Sequence, residues 1–127
     1  MAKILVCEDD GPLREVYDTV LTAGGHTVDV AENGRQGLKK CRVTHYDLIL
    51  LDLMMPEVDG VGFLRLSKIT KKSPSTRVII LSNLSTGRDI QEALALGADQ
   101  HVLKSSLTPR DLIELVDGAL YAAAKMS

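Results

Sequence analysis

Apolar residues fall along this chain in two alternating rhythms. Short aliphatic runs at Lys3–Cys7, Leu48–Asp52 and Arg77–Ser82 have the length and density of strands buried on both faces. Thr27–Ala31 alternates and is rich in β-branched residues, which predicts a strand nearer a sheet edge, and residues 101–104 form the fifth and shortest strand. Between the strands the spacing turns helical. Leu13, Val16, Tyr17, Val20 and Leu21 follow Pro12 as one inward stripe until Gly24-Gly25 stops it. Asn33 is placed to cap a second helix running to about Val43, with Leu38 and Cys41 inward. Asp59-Gly60 opens a third through Val61, Phe63, Leu64 and Leu66 to about Thr70, and Ile90, Ala93, Leu94 and Leu96 make a shallow fourth closed by Gly97. Thr108-Pro109 with Asp111 starts the fifth, whose stripe is Leu112, Leu115, Val116, Ala119 and Leu120.

Five strands alternating with five helices predict an α/β fold, a doubly wound parallel sheet with right-handed crossovers and helices on both faces. No linker, repeat or low-complexity segment interrupts the alternation, so residues 1–127 read as one domain. With 45% apolar but only 3% aromatic residues, the core is left to Leu, Ile, Val and Ala. A net charge of −2 gives no electrostatic reason for direct nucleic-acid or membrane binding. Cys7 and Cys41 lack a CxxC pattern or a metal-spaced His and read as reduced packing thiols. No run approaches the roughly eighteen apolar residues that span a bilayer, and Met1-Ala2-Lys3 enters a strand directly, so a cytoplasmic location is expected.

The acids are unevenly placed, and that changes the picture. Parallel strands all end on one side, which brings together Glu8-Asp9, Ala31-Glu32, Asp52, Ser82 and Lys104. Carboxylates from the first and third strands would repel unless a positive centre sat among them, and a hard divalent cation such as Mg²⁺ or Mn²⁺ suits their oxygens. Asp52 can then act as a carboxylate nucleophile toward a phosphoryl group, with Lys104 balancing charge on the phosphoryl oxygens and Ser82 donating a hydrogen bond. Blander readings exist for each residue. Asp52 could be a turn aspartate, Asp10 a helix-dipole charge, Ser82 one loop hydroxyl beside Ser85 and Thr86, and Lys104 a surface lysine. His26 and His45, at helix-to-strand turns, are expected to face solvent. Neither GxGxxG nor GxxxxGK occurs, which argues against nucleotide binding.

In order along the chain, Glu8-Asp9, Asp52 with Met55-Pro56 and Asp59-Gly60, Ser82, Gly97-Ala98-Asp99 and Lys104 resemble the receiver domain of a two-component response regulator, similar in size to the single-domain chemotaxis type. The resemblance implies a flavodoxin-like strand order 2-1-3-4-5, a phosphorylation-activated signalling switch, and transfer to Asp52 from a histidine of a sensor kinase or phosphotransfer protein. It implies Mg²⁺ held by Asp9, Asp52 and the backbone carbonyl of Met54, with Glu8 acting through a water. It also implies that Ser82 moves toward the phosphoryl group while the ring of His101, where Tyr or Phe is more familiar, swings inward. The change would reach the surface of the last helix pair and the fifth strand. That surface would serve a downstream target, a fused output domain or a homodimer.

Three departures from the family pattern stand out. Ser105 follows Lys104 in place of a proline, an imidazole at 101 gives the switch a pH dependence that a phenol lacks, and Met54 and Leu84 are both apolar along the path of hydrolytic water. The last predicts slow autodephosphorylation in a protein that otherwise catalyses only its own modification. Two other classes compete: a flavodoxin-like binder of a small cofactor such as FMN, and a scaffold that takes no phosphate, motivated by Ser105.

Overall fold

The computed structural model describes residues 1–83 and 87–126. Its sheet has five parallel strands, β1 (Lys3–Cys7), β2 (Thr27–Ala31), β3 (Leu48–Asp52), β4 (Arg77–Ser82) and β5 (Gln100–Leu103), in the order β2-β1-β3-β4-β5. Central β3 is buried at all five positions, whereas edge strand β2 is only partly covered, as its alternation predicts.

Strand alternation divides the core in two. Leu5, Cys7, Ile49, Leu51, Val78 and Ile80 face one side with Val61, Phe63, Leu64 and Ala93, and Ile4, Val6, Leu48, Leu50, Ile79 and Leu81 face the other with Tyr17, Leu21, Leu112 and Val116. Accordingly α2 (Gly34–Val43), α3 (Gly60–Ser67), α4 (Ile69–Lys72) and α5 (Gly87–Ala95) cover the first face, and α1 (Gly11–Ala23) and α6 (Pro109–Met126) the second. Each helix start follows from a local signal. Asp10, Asn33 and Asp59 accept hydrogen bonds from the amides of Leu13, Gln36 and Gly62. Thr108 and Asp111 exchange reciprocal side-chain-to-amide bonds at the start of α6.

Several expectations are corrected. The third predicted helix does not reach Thr70: Lys68, at φ 53°, adopts the left-handed conformation and splits it into α3 and α4, so six α-helices replace five among the described residues. The break serves packing, since it delivers the Thr70 hydroxyl to the Leu96 carbonyl at 2.6 Å. There Gly97 (φ 106°) comes so close that any Cβ would strike Thr70. Strand β5 ends one residue early, and Lys104 opens a 3-10 turn through Ser106. Val16 and Leu66, expected inward, are 46% and 62% exposed. His26, expected in solvent, is nearly buried: its Nδ1 accepts the Ala2 amide at 3.2 Å and its Nε2 lies 3.6 Å from Asp117. Leu84, expected beside the water path, lies outside the described residues.

Candidate functional site

Asp52 is the last residue of the buried central strand, and only 2% of its surface is exposed. A carboxylate placed there loses most of its water and must find other partners. Glu8, one residue beyond β1, lies beside it and is 1% exposed. Lys104, one residue beyond β5, reaches across β4 to both: its Nζ is 2.6 Å from Glu8 Oε1 and 2.9 Å from Asp52 Oδ2. Asp9 is exposed at the mouth, and one carboxylate oxygen from each of Glu8, Asp9 and Asp52 falls within 4.8 Å of the others. A cleft of about 320 Å³ opens over this group and is lined also by Asp10, Met54 and Asn83.

The backbone holds the cluster in place. Asp52 Oδ1 accepts the Met54 amide at 3.1 Å, and Glu8 Oε2 accepts the Asp10 amide at 3.2 Å. Arg14 on α1 donates to the Glu8 carbonyl at 2.8 Å and to that of Asp9 at 3.4 Å, while its other nitrogen lies 3.5 Å from Glu32. The acidic loop is therefore pinned from behind. Behind Asp52, the β3–α3 loop packs on α2, where the Gly34 amide donates to the Val58 carbonyl at 3.0 Å, so close that a Cβ on Gly34 would overlap Val58.

The Glu8 carboxyl is pushed up to about 7: burial raises it most, and the opposing pull of Lys104 is partly offset by neighbouring Asp52. For Lys104, burial works against the ammonium, but the bonds to Glu8 and Asp52 outweigh it and hold its pKa above the ordinary lysine range. One ammonium faces three carboxylates. Hard oxygen donors in excess of positive charge, opening onto a cleft, fit a divalent cation of the Mg²⁺ kind.

The structure brings Glu8, Asp9, Asp52, Met54 and Lys104 to this one cleft. Ser82 and His101 meet beside it: Ser82 Oγ lies 2.6 Å from His101 Nε2. In the β4–β5 register Ser82 sits opposite Leu103, two residues from His101, so the two side chains are diagonal neighbours on one sheet face. Three further residues escaped the sequence reading: Arg14, Asn83 and Asp10, the last as a lining residue rather than only a helix-dipole charge. Arg14 looks like any polar position of α1, because its targets are main-chain carbonyls that no side-chain pattern advertises. The peptide following Lys104 is trans, there being no cis bond among the described residues.

Comparison with known proteins agrees with this fold. Residues 4–117 match the family model of the response regulator receiver domain. The chain is 36% identical over 116 residues to the response regulator ArlR of Staphylococcus aureus, covering 91% of this chain and 50% of that protein. It is 33% identical over 115 residues to a gliding motility regulatory protein of Myxococcus xanthus, covering 91% of this chain and 15% of that one. Thus it spans half or less of these longer relatives. Among solved structures, a CheY-like response regulator receiver domain protein from Methanospirillum hungatei superposes with a TM-score of 0.93 at 25% identity, covering 100% of this chain and 99% of the other. The receiver domain of Francisella response regulator 1452 superposes at 0.81 with 32% identity, covering 96% and 98%.

Proposed function

The chain belongs to the response regulator receiver family, and from that premise we propose that residues 1–127 form a single receiver domain in which Asp52 is the phosphoacceptor. The observation that carries this reading is Lys104 Nζ at 2.6 Å from Glu8 and 2.9 Å from Asp52, with Asp9 completing the three-carboxylate cluster at the strand ends. Asp9, Asp52 and the backbone carbonyl of Met54 would hold Mg²⁺ or Mn²⁺, with Glu8 acting through a water. When bound, the metal supplies positive charge to the oxygens of the transferring phosphoryl group.

The chain's own residues do the rest. An Asp52 carboxylate oxygen forms the new bond to phosphorus as the phosphorus–nitrogen bond of a donor phosphohistidine breaks and the imidazole leaves. Lys104 gives up part of its pairing with Asp52 to neutralise the phosphoryl oxygens. Ser82 exchanges His101 for a phosphoryl oxygen, and the released imidazole turns inward. The surface formed by α5, β5 and α6 then changes its affinity for a target, an output domain or a second copy, a shift of population between two arrangements. The donor is a sensor histidine kinase or phosphotransfer protein and the setting cytoplasmic; among the described residues no helix is long and apolar enough to cross a membrane.

Incubation with Mg²⁺ and acetyl phosphate followed by intact-mass measurement tests the reading. Wild type should gain one phosphoryl group and Asp52→Asn none. No gain in wild type would leave only a scaffold role for the domain.

A further inference from the structure

A cavity lies at the opposite end of the sheet from Asp52. It measures about 700 Å³, is half open to solvent, and is bordered by the carboxyl end of α2, the α3–α4 break and the segments leading into β3 and β4. That volume falls within the roughly 300–1,000 Å³ typical of small-molecule sites. Its floor is apolar, with Leu38, Tyr46 and Ile69, and its walls carry Arg42, His45 and Lys72. Among the described residues no acid lines it.

Two of these cations lie at helix ends. Arg42 and Lys72 sit in the last turns of α2 and α4, where positive charge favours a helix end. That effect requires neither that both border one cavity nor that apolar side chains surround the mouth in water. Yet Val43 is 84% and Leu66 62% exposed there. Among the described residues neither Arg42 nor Lys72 pairs with an acid, as is also true of exposed Lys39 and Lys71, but of these only Arg42 and Lys72 line this cavity. His45, 4.0 Å from Asp47, also lies 3.2 Å from Ser73 Oγ and so lends the wall a second polar group. The α3–α4 break at Lys68 shapes the cavity, since a continuous helix would present Ile69 and Lys72 differently.

We propose that this cavity binds an organic anion with an apolar body, its acidic group held between Arg42 and Lys72 and its body laid on Leu38, Val43 and Leu66. A carboxylate, sulfonate or phosphate head would meet charge-assisted donors on two sides. The body would cover the apolar rim that now faces solvent. The site stands apart from Asp52 and does not depend on the phosphoacceptor reading.

Amide-resolved NMR titration of the whole chain with 2-naphthalenesulfonate, and with uncharged 2-naphthalenemethanol of the same shape, tests it. Saturable shifts are expected in residues 38–46 and 66–73, with the Glu8 and Asp52 amides unmoved. The neutral compound should bind at least about tenfold more weakly, and Arg42→Glu combined with Lys72→Glu should cost the anion at least about tenfold. Both positions are exposed, so the variant's remaining spectrum reports an intact fold. Failure to saturate by about 10 mM, shifts centred on the Asp52 cleft, equal affinity for the two compounds, or an unaffected double variant would each overturn the proposal.

Discussion

At the carboxyl end of the sheet an ammonium and two carboxylates are shielded from water, with Asp9 exposed at the mouth; at the amino end Arg42 and Lys72 border a larger cavity and, among the described residues, reach no acid. The difference teaches what a charge is for in each place. Glu8, Asp52 and Lys104 fix one another, so removing one leaves a buried ion without its partner. Around Arg42 the charges are solvated and exposed, and removing one costs the fold almost nothing. Ligand chemistry is expected at both ends, but only the first is also structural.

The largest expected effect sharpens this contrast. Lys104→Met should destabilise the protein by about 3 kcal/mol in urea unfolding at about pH 8, whereas Lys72→Met should change it by less than about 0.5 kcal/mol. Equal costs would abolish the distinction between the two ends. Next comes Gly34→Ala, where a Cβ would lie 2.1 Å from the Val58 carbonyl oxygen. The backbone cannot yield cheaply, and a loss of about 1–3 kcal/mol is expected in the same measurement.

A pH effect follows from Glu8. Its folded pKa of about 7 lies above the ordinary 4.5, so the folded state holds that proton more tightly than the unfolded chain does. Stability from this source is fully present below about 4.5 and is lost as pH rises through about 7. In the presence of a chelator the melting temperature should therefore fall across that window. Added Mg²⁺ should oppose the fall by favouring the deprotonated carboxylates, and Glu8→Gln should flatten it. An unchanged slope in Glu8→Gln would show that Glu8 is not the group responsible. The smallest effect concerns Met54, which is 66% exposed at the cleft. Met54→Asn should shorten the phosphoryl half-life several-fold by giving water a hydrogen-bonding partner near Asp52, read by mass spectrometry over time.

Most of the framework was legible in the residues. The aliphatic runs of β1, β3 and β4 appear with the bounds their patterns predict, because a run of large aliphatic side chains has few alternatives to a sheet interior. Caps at Asn33, Asp59 and Thr108 were legible for a similar reason: a short polar side chain answers amides only three residues away. What failed was long-range. Residues 60–70 carry a continuous helical pattern, yet contact between Thr70 and the Gly97 turn favours a break at Lys68. His26 resembles a surface histidine until the Ala2 amide and Asp117, both far away in sequence, close over it.

The candidate site divides the same way. Parallel direction follows from alternating elements and the strand order from the resemblance to receiver domains, so the sequence by itself determined that Glu8, Asp9, Asp52, Ser82 and Lys104 gather at one edge. Only the tertiary structure decided how they are paired: Lys104 bridges Glu8 and Asp52, Ser82 faces His101, and Arg14 secures the acidic loop through main-chain carbonyls. Periodicity and capping are short-range and are written in neighbouring residues. Which charges share a dry volume, and which are left to water, depends on register, on 3-10 and left-handed turns, and on the angstrom-scale reach of side chains from strands distant in the sequence.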